Sequence, residues 1–307
     1  TQVSLPIASF VIRKRKIDLA ANDDDGGVKD LISERPDFIF HLAGVSEEAE
    51  YDFDRGYRVN VDGTKKILDA IRAMPRYTPR FVFASSTAAS SLSVTGPQGS
   101  YETQKAIAEL LLSDYSRQGH VDGISLRLPT IVVRPGAPDR TATSFFSSLI
   151  REPLIGQETT CPVPLSFRHT IASPKSAAGF LLHAANLTTE QLAITRTMNM
   201  PGITLSVNEI IESIARVTGK SALKLIRKKR DTNIERIASS WPQGIDATYA
   251  LSLGFVPDES IDQIVKAYMD EDLPQIQIQK NAVKHPATVA MPKRMLVKQR
   301  SVSGIAA

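Results

Sequence analysis

The chain has 307 residues, 42% of them hydrophobic and 23% charged, the balance of an ordinary globular protein rather than a disordered or fibrous one. No apolar run approaches the roughly 20 residues of a membrane span, and the N-terminal charges follow the apolar stretch instead of preceding it, against the order of a secretory signal. The net charge of +4 sits at the C-terminal end: residues 273–307 hold Lys280, Lys284, Lys293, Arg294, Lys298 and Arg300 and no acid, so the rest of the chain is weakly acidic. That end lacks interleaved aromatics and periodicity and reads as a basic, disordered tail, not as a nucleic-acid or membrane surface. The single cysteine, Cys161, excludes an intrachain disulfide and suits a reducing, cytoplasmic setting. It lies in the Pro-rich "TTCPVP" with no adjacent base, which reads as structural.

In chain order, "PDFIFHLAG" (36–44) is a short apolar run ending in small residues, a buried strand. "YDFDRGYRVNVDGTKKILDAIRAM" (51–74) has Val61, Ile67, Leu68 and Ile71 at helical spacing. "RFVFASSTAAS" (80–90) is a second buried strand running into a small polar loop. "SYETQKAIAELLLSDYS" (100–116) reads as a helix with Tyr101 and Lys105 four apart on one face, and Ile107, Leu110 and Leu111 in the buried stripe behind them. "GISLRLPTIVV" (123–133) is a third strand. Strand, helix, strand, helix, strand is the pattern of a doubly wound parallel sheet, an α/β fold whose ligands sit at the carboxyl ends of the strands. That places "HLAG", "ASST" and "LPT" around one crevice.

Beyond residue 134 the pattern turns more helical. "SFFSSLIREPLIG" is a short helix and turn, "SPKSAAGFLLHAANL" a helix with a Ser cap and Pro in its first turn, and "TLSVNEIIESIARVTG" a helix closed by Gly219. "TYALSLGF" and "DESIDQIVKAYMDED" are the last helical segments. The expected organisation is a Rossmann-like part over 1–134, a smaller capping part over 135–272 that also returns elements to the sheet, and the tail.

Taken in order, "FHLAG", "RVNVDGTKKILDA", "FVFASS", "YETQK" and "LRLPTIVVRPG" resemble the extended short-chain dehydrogenase/reductase family, the NAD-dependent epimerase/dehydratase group. "DFDRGYRVNVDGT" and "FFSSLIREPLIGQE" are similar to its acid-sugar dehydrogenases, and the resemblance spans roughly residues 18 to 272. It implies an NAD-dependent oxidoreductase acting on a secondary alcohol of a small sugar acid. Taking a hydride from a carbinol requires a base for the hydroxyl proton; tyrosine, with a reference pKa of about 10, needs a nearby cation to serve. The resemblance makes Tyr101 that base, Lys105 the cation and the anchor of the nicotinamide ribose, and Ser86 the donor to the substrate oxygen, with Ser85 as the alternative. For NAD it maps Asp18 and Leu19 to the adenine, Leu42, Ala43 and Gly44 beneath the nucleotide, and Pro129 and Thr130 beside the nicotinamide, with Ser85, Tyr101 and Lys105 also lining the cofactor. Asn60 matches an asparagine that orders the family's site; it equally reads as a residue satisfying backbone groups. A sugar-acid carboxylate calls for arginine: Arg134, Arg151 and Arg168 are the candidates, Arg168 first, with His169 beside it for hydroxyls. His41 reads as packed. No metal is implied, the partner is a small molecule, and the family implies a possible homodimer.

The chain departs from the family in three places. Nothing before Asp18 resembles the Gly-rich dinucleotide turn G-x-x-G-x-x-G, and seventeen residues are too few for the strand–turn–helix–strand unit of roughly 30 that would carry it. Gly26-Gly27 follow "NDDD", a poor place for a phosphate. The linker between Ser86 and Tyr101 is short, which leaves Ser90 or Ser91 as substitutes for Ser86, and the basic tail is extra. These departures point to a truncated or alternatively spliced dehydrogenase product. Two other readings stand beside the leading one: a non-catalytic remnant of the fold, and a nucleotide-sugar epimerase. A dehydratase is disfavoured, because "SSTAAS" lacks an acid beside the serine.

Overall fold

The structure, a computed structural model, describes residues 13–21, 27–46, 48–90, 99–134, 141–192, 195–239 and 241–274. The N-terminal "LPIASFVI", Gly26, Ser91 and the tail from residue 275 onward lie outside them. Residues 1–266 form one compact unit and 267–307 a second; the described part of the second is a π-helical turn, Tyr268–Asp272.

In chain order the first unit runs α1 (Gly27–Ser33), β1 (Phe38–His41), α2 (Glu48–Tyr51), α3 (Phe53–Tyr57), a π-helical turn (Arg58–Asp62), α4 (Gly63–Arg72), β2 (Arg80–Ser86), α5 (Ser100–Arg117), β3 (Asp122–Leu128) and β4 (Thr130–Ile131). Then follow α6 (Ser144–Leu154), β5 (Thr159–Cys161), β6 (Arg168–Ala172), α7 (Pro174–Asn186), β7 (Thr197–Asn199), β8 (Ile203–Ser206) and α8 (Val207–Thr218). The last are β9 (Ile226–Lys228), α9 (Thr232–Ala238), α10 (Thr248–Ser252) and α11 (Ile261–Ala267).

A parallel sheet in the order β1-β2-β3-β7 organises the unit, with Phe40 opposite Val82 and Val82 opposite Ile124. Side chains alternate across it. Phe81 and Phe83 face a layer made by α1, α4 and α5, where Ile32, Leu68, Ile71, Ala108 and Leu112 are buried. Val82, Ile124 and Leu126 face Phe180 and Ala184 of α7, with Met198 and Phe255 closing the layer. Helices on both faces of a parallel sheet make this a Rossmann-type fold. Gly123 permits a close helix–sheet approach: a side chain there would stand 2.6 Å from Leu112 of α5.

Three local readings change. The single strand expected over 123–133 is two, because Pro129 has no N–H for the ladder. After it the chain leaves the main sheet, and β4 joins β6 and β8 in a second sheet. The long helix expected over 51–74 is broken by the π-helical turn that carries Asn60. The buried face of α5 is Gln104, Lys105, Ala108, Glu109, Leu112 and Tyr115, whereas Leu110 is 71% exposed. Polar residues occupy the face against the sheet, so apolar periodicity misplaces the stripe. The short strands β5 to β9 also escape a helical reading of the second half; of these, β7 supplies the fourth strand of the main sheet.

Candidate active site

Three strand ends meet beside the first two turns of α5. β1 gives way to Leu42, Ala43 and Gly44, all exposed; β2 ends in Ser85 and Ser86; β3 ends before the buried Pro129. The N-terminus of α5 is held from α2, where Glu50 accepts the Tyr101 backbone N–H at 3.0 Å. The helical period then brings Tyr101, Lys105 and Glu109 onto one side, one turn apart.

Ser86, rather than Ser85, acts on Tyr101, its hydroxyl favouring the charged phenol, and Ser86 Oγ accepts from the Ala88 N–H at 3.2 Å. The Ser85 side chain points to the other side of the strand, where its hydroxyl bonds the Glu109 carboxylate. Lys105 is buried, donates to the Ala84 carbonyl at 2.9 Å, and lies 4.6 Å from the Phe83 ring centroid and 5.8 Å from that of Tyr101. Burial lowers its pKa to about 8, with the Glu109 carboxylate acting against the fall.

Burial raises the Tyr101 pKa to about 12, opposed by the Ser86 hydrogen bond and by the positive charge of Arg134. Arg134 adds a second cation to that of Lys105, whose Nζ lies 5.8 Å from the Tyr101 ring centroid, and burial outweighs the effect of Arg134 on the phenol.

Asn60 does satisfy backbone groups, but across the crevice. Its Oδ1 accepts the Val45 N–H at 2.9 Å, and its Nδ2 donates to the Val45 carbonyl at 2.7 Å and to Gln104 Oε1 at 2.8 Å. It thereby ties the loop after β1 to α5. A side chain at Gly44 would stand 3.2 Å from both Asn60 Oδ1 and Lys105 Nζ, so the glycine leaves that floor open.

The remaining residues divide. The Thr130 hydroxyl is hydrogen-bonded to His169 Nε2 at 2.7 Å, and His169 stacks on Phe146 with ring centroids 5.0 Å apart. His169 Nδ1 is buried without a protein partner, and burial lowers the pKa of the ring to about 4. Arg134 is anchored through its backbone N–H to Ser147 Oγ at 3.1 Å and through its carbonyl, which accepts from Arg151 at 2.7 Å. Arg151 is buried, ion-paired with Glu152 at 2.7 Å, and donates to the Arg134 carbonyl. Arg168 is exposed, paired with Glu209 at 3.2 Å and bonded to the Thr204 carbonyl at 2.9 Å. Asp18 is exposed in a turn, its carboxylate accepting from the Ala20 N–H at 2.9 Å, while Leu19 packs on α4 at Gly63. His41 is buried and bonded to Thr64 Oγ1 at 2.9 Å, as a packed residue. Glu109 and Gln104 of the site carry no motif of their own; their phase with Lys105 on α5 was the available signal.

Residues 9–166 match the NAD dependent epimerase/dehydratase family. The chain is 40% identical over 259 residues to the D-erythronate dehydrogenase of Haemophilus influenzae, covering 80% of this chain and 81% of that protein. It is 42% identical over 243 residues to the D-erythronate dehydrogenase of Cupriavidus necator, covering 76% and 75%. Among solved structures, the nucleoside-diphosphate-sugar epimerase from Agrobacterium tumefaciens superposes with a TM-score of 0.79 at 45% identity, covering 85% of this chain and 79% of that one.

The cofactor implied is NAD. The open floor at Gly44, with Lys105 Nζ and Asn60 Oδ1 at its margin and the exposed Leu42 and Ala43 alongside, fits the nicotinamide-ribose end. For the pyrophosphate, no Gly-rich turn precedes β1 among the described residues.

Proposed function

The chain belongs to the NAD dependent epimerase/dehydratase family, and from that premise we propose that it is a dehydrogenase oxidising a secondary alcohol of a small sugar acid such as D-erythronate. The observation that carries this reading is the Tyr101–Lys105 pair beside the open floor at Gly44: Lys105 Nζ lies 5.8 Å from the Tyr101 ring centroid and 3.2 Å from where a Gly44 side chain would stand, and Ser86 acts on the same phenol. In this reading Ser86 donates to the substrate oxygen and Tyr101 takes the hydroxyl proton. Arg134 engages the substrate carboxylate, since its planar fork matches two oxygens, and Arg151 holds the Arg134 backbone in place. His169, kept neutral at physiological pH by burial and bonded to Thr130, serves a substrate hydroxyl through its unpartnered Nδ1. Arg168 is the outer, weaker candidate because Glu209 already pairs with it. Lys105 and Asn60 hold the nicotinamide ribose over Gly44. NAD supplies the hydride acceptor when bound.

The test is a thermal-shift titration with NAD followed by NADH production from D-erythronate. NAD should raise the melting temperature by mass action, and Tyr101→Phe should lose turnover by at least a thousandfold while keeping the thermal shift. No shift at millimolar NAD would replace this reading with the non-catalytic one. The similarity to an epimerase structure favours a second reading; net accumulation of NADH supports oxidation, whereas an epimerase returns the hydride and accumulates none. A homodimer through the helices that include α5 belongs to the same proposal, supported by the exposed Leu110; light scattering should give twice the chain mass.

A further inference from the structure

Glu109 is a buried carboxylate on the sheet-facing side of α5, one turn beyond Lys105. The single Arg127 Nε N–H is shared between the two carboxylate oxygens at 2.9 and 3.1 Å, Arg127 Nη2 donates at 2.7 Å, and the Ser85 hydroxyl donates as well. Arg127 lies on β3 directly opposite Ser85 on β2. One carboxylate therefore joins the helix that carries Tyr101 and Lys105 to two neighbouring strand ends, one of which carries Ser86. A buried ion pair is weak evidence for stability, because desolvation offsets much of the attraction. Three donor groups from two strands converging on one carboxylate are instead a device for fixing register.

We propose that Glu109, braced by Arg127, is a positioning residue of the Tyr101–Lys105–Ser86 site: it is the counter-charge to the Lys105 ammonium and the clamp that holds the end of β2 against α5. The inference rests on these three residues being the working site. The charged and titratable groups around Lys105 are few. On α5 there are Tyr101 and Glu109; from β1, His41, which Lys105 and burial keep neutral; from β3, Arg127 behind Glu109; and, acting on Tyr101, Arg134. Among the described residues, Glu109 is the acid whose charge opposes the loss of the Lys105 charge.

The test follows the Lys105 side-chain signal by NMR in lysine-labelled protein, assigned by its disappearance in Lys105→Arg, across pH 6 to 11 without cofactor or substrate. Glu109→Gln should lower the midpoint from about 8 by about one pH unit, the size expected for losing a nearby opposite charge. Arg127→Leu should raise it, because the carboxylate is then unopposed by a second cation. Ser85→Ala should leave it in place but lower kcat more than it raises KM, through loss of the clamp. An unmoved midpoint in Glu109→Gln, or a fall in Arg127→Leu, overturns the proposal. If Glu109→Gln does not fold, Glu109→Asp and Arg127→Leu carry the test: the first must keep the midpoint within about half a pH unit and the second must raise it. Absence of turnover with every sugar acid would sink the substrate reading and leave this titration unaffected.

Discussion

The centre of the main sheet and its β1 edge differ in how completely they are held. At the centre, β2 has apolar layers on both faces, its carboxyl end is clamped to α5 through Ser85 and Glu109, and its hydroxyl Ser86 meets Tyr101. At the β1 edge, Phe38 is 50% exposed, Phe40 39% and Leu42 55%, and no strand pairs outside β1 among the described residues. Phe40 shares its face with Val82, yet the cover that α7 gives Val82 does not extend over it. A strand has two faces and two edges to satisfy, and β1 is satisfied on one of each. The catalytic candidates cluster where constraint is greatest, because a proton can be passed only between groups held to hydrogen-bond distance. The cofactor-facing floor lies toward the open edge.

The sharpest way to break this contrast is at the constrained end. Tyr101→Phe removes one hydroxyl from a packed site, and its expected thousandfold loss of turnover should come with little change in melting temperature. Next comes the core. Phe81→Ala empties a fully buried position on β2 and should cost about 3–5 kcal/mol in chemical denaturation. Acid comes third. His41 and His169 each have a native pKa near 4 against 6.5 when unfolded. Between those values the unfolded chain binds the protons and the native state does not, so stability falls as pH drops from 6.5 toward 4 and is regained above it. The loss should be on the order of 3 kcal/mol per histidine once the pH is below 4. Replacing His41 with Gln should remove about half of that dependence. The smallest effect belongs to the open edge: Phe38→Ser should change stability by less than about 0.5 kcal/mol and reduce self-association measured by light scattering, since an exposed apolar edge strand invites pairing. A loss comparable to that of Phe81→Ala would show that the edge is covered in solution.

Much of the architecture was readable in the chain. Apolar runs ending in small residues gave the three first strands within a few positions, and the Ser173 cap, Pro174 and Gly219 marked helix ends where the structure has them. The order of Tyr101, Lys105 and Ser86 relative to those strands was readable too. The π-helical turn at Asn60 and the strand change at Pro129 were not, because both depend on what lies opposite the segment. Leu110 was assigned inward since hydrophobicity was the sole guide to the phase of α5; Lys105 and Glu109 take the inward face because strand-end groups there satisfy their charges.

What the sequence by itself determined is therefore the strand–helix order of the first half, the main helices of the second, and the residue types able to move a proton beside a nicotinamide. Local spacing suffices for these, since helix and strand periods are properties of the backbone. Which serine faces the tyrosine, and which arginine is buried in an ion pair and which exposed, were decided by tertiary structure alone. Ser85 and Ser86 are adjacent in sequence but point to opposite faces of β2. Arg134 and Tyr101 are 33 positions apart in the chain and are brought together by packing. Burial, which no local pattern reports, sets the cost of charge on Tyr101, Lys105 and both buried histidines.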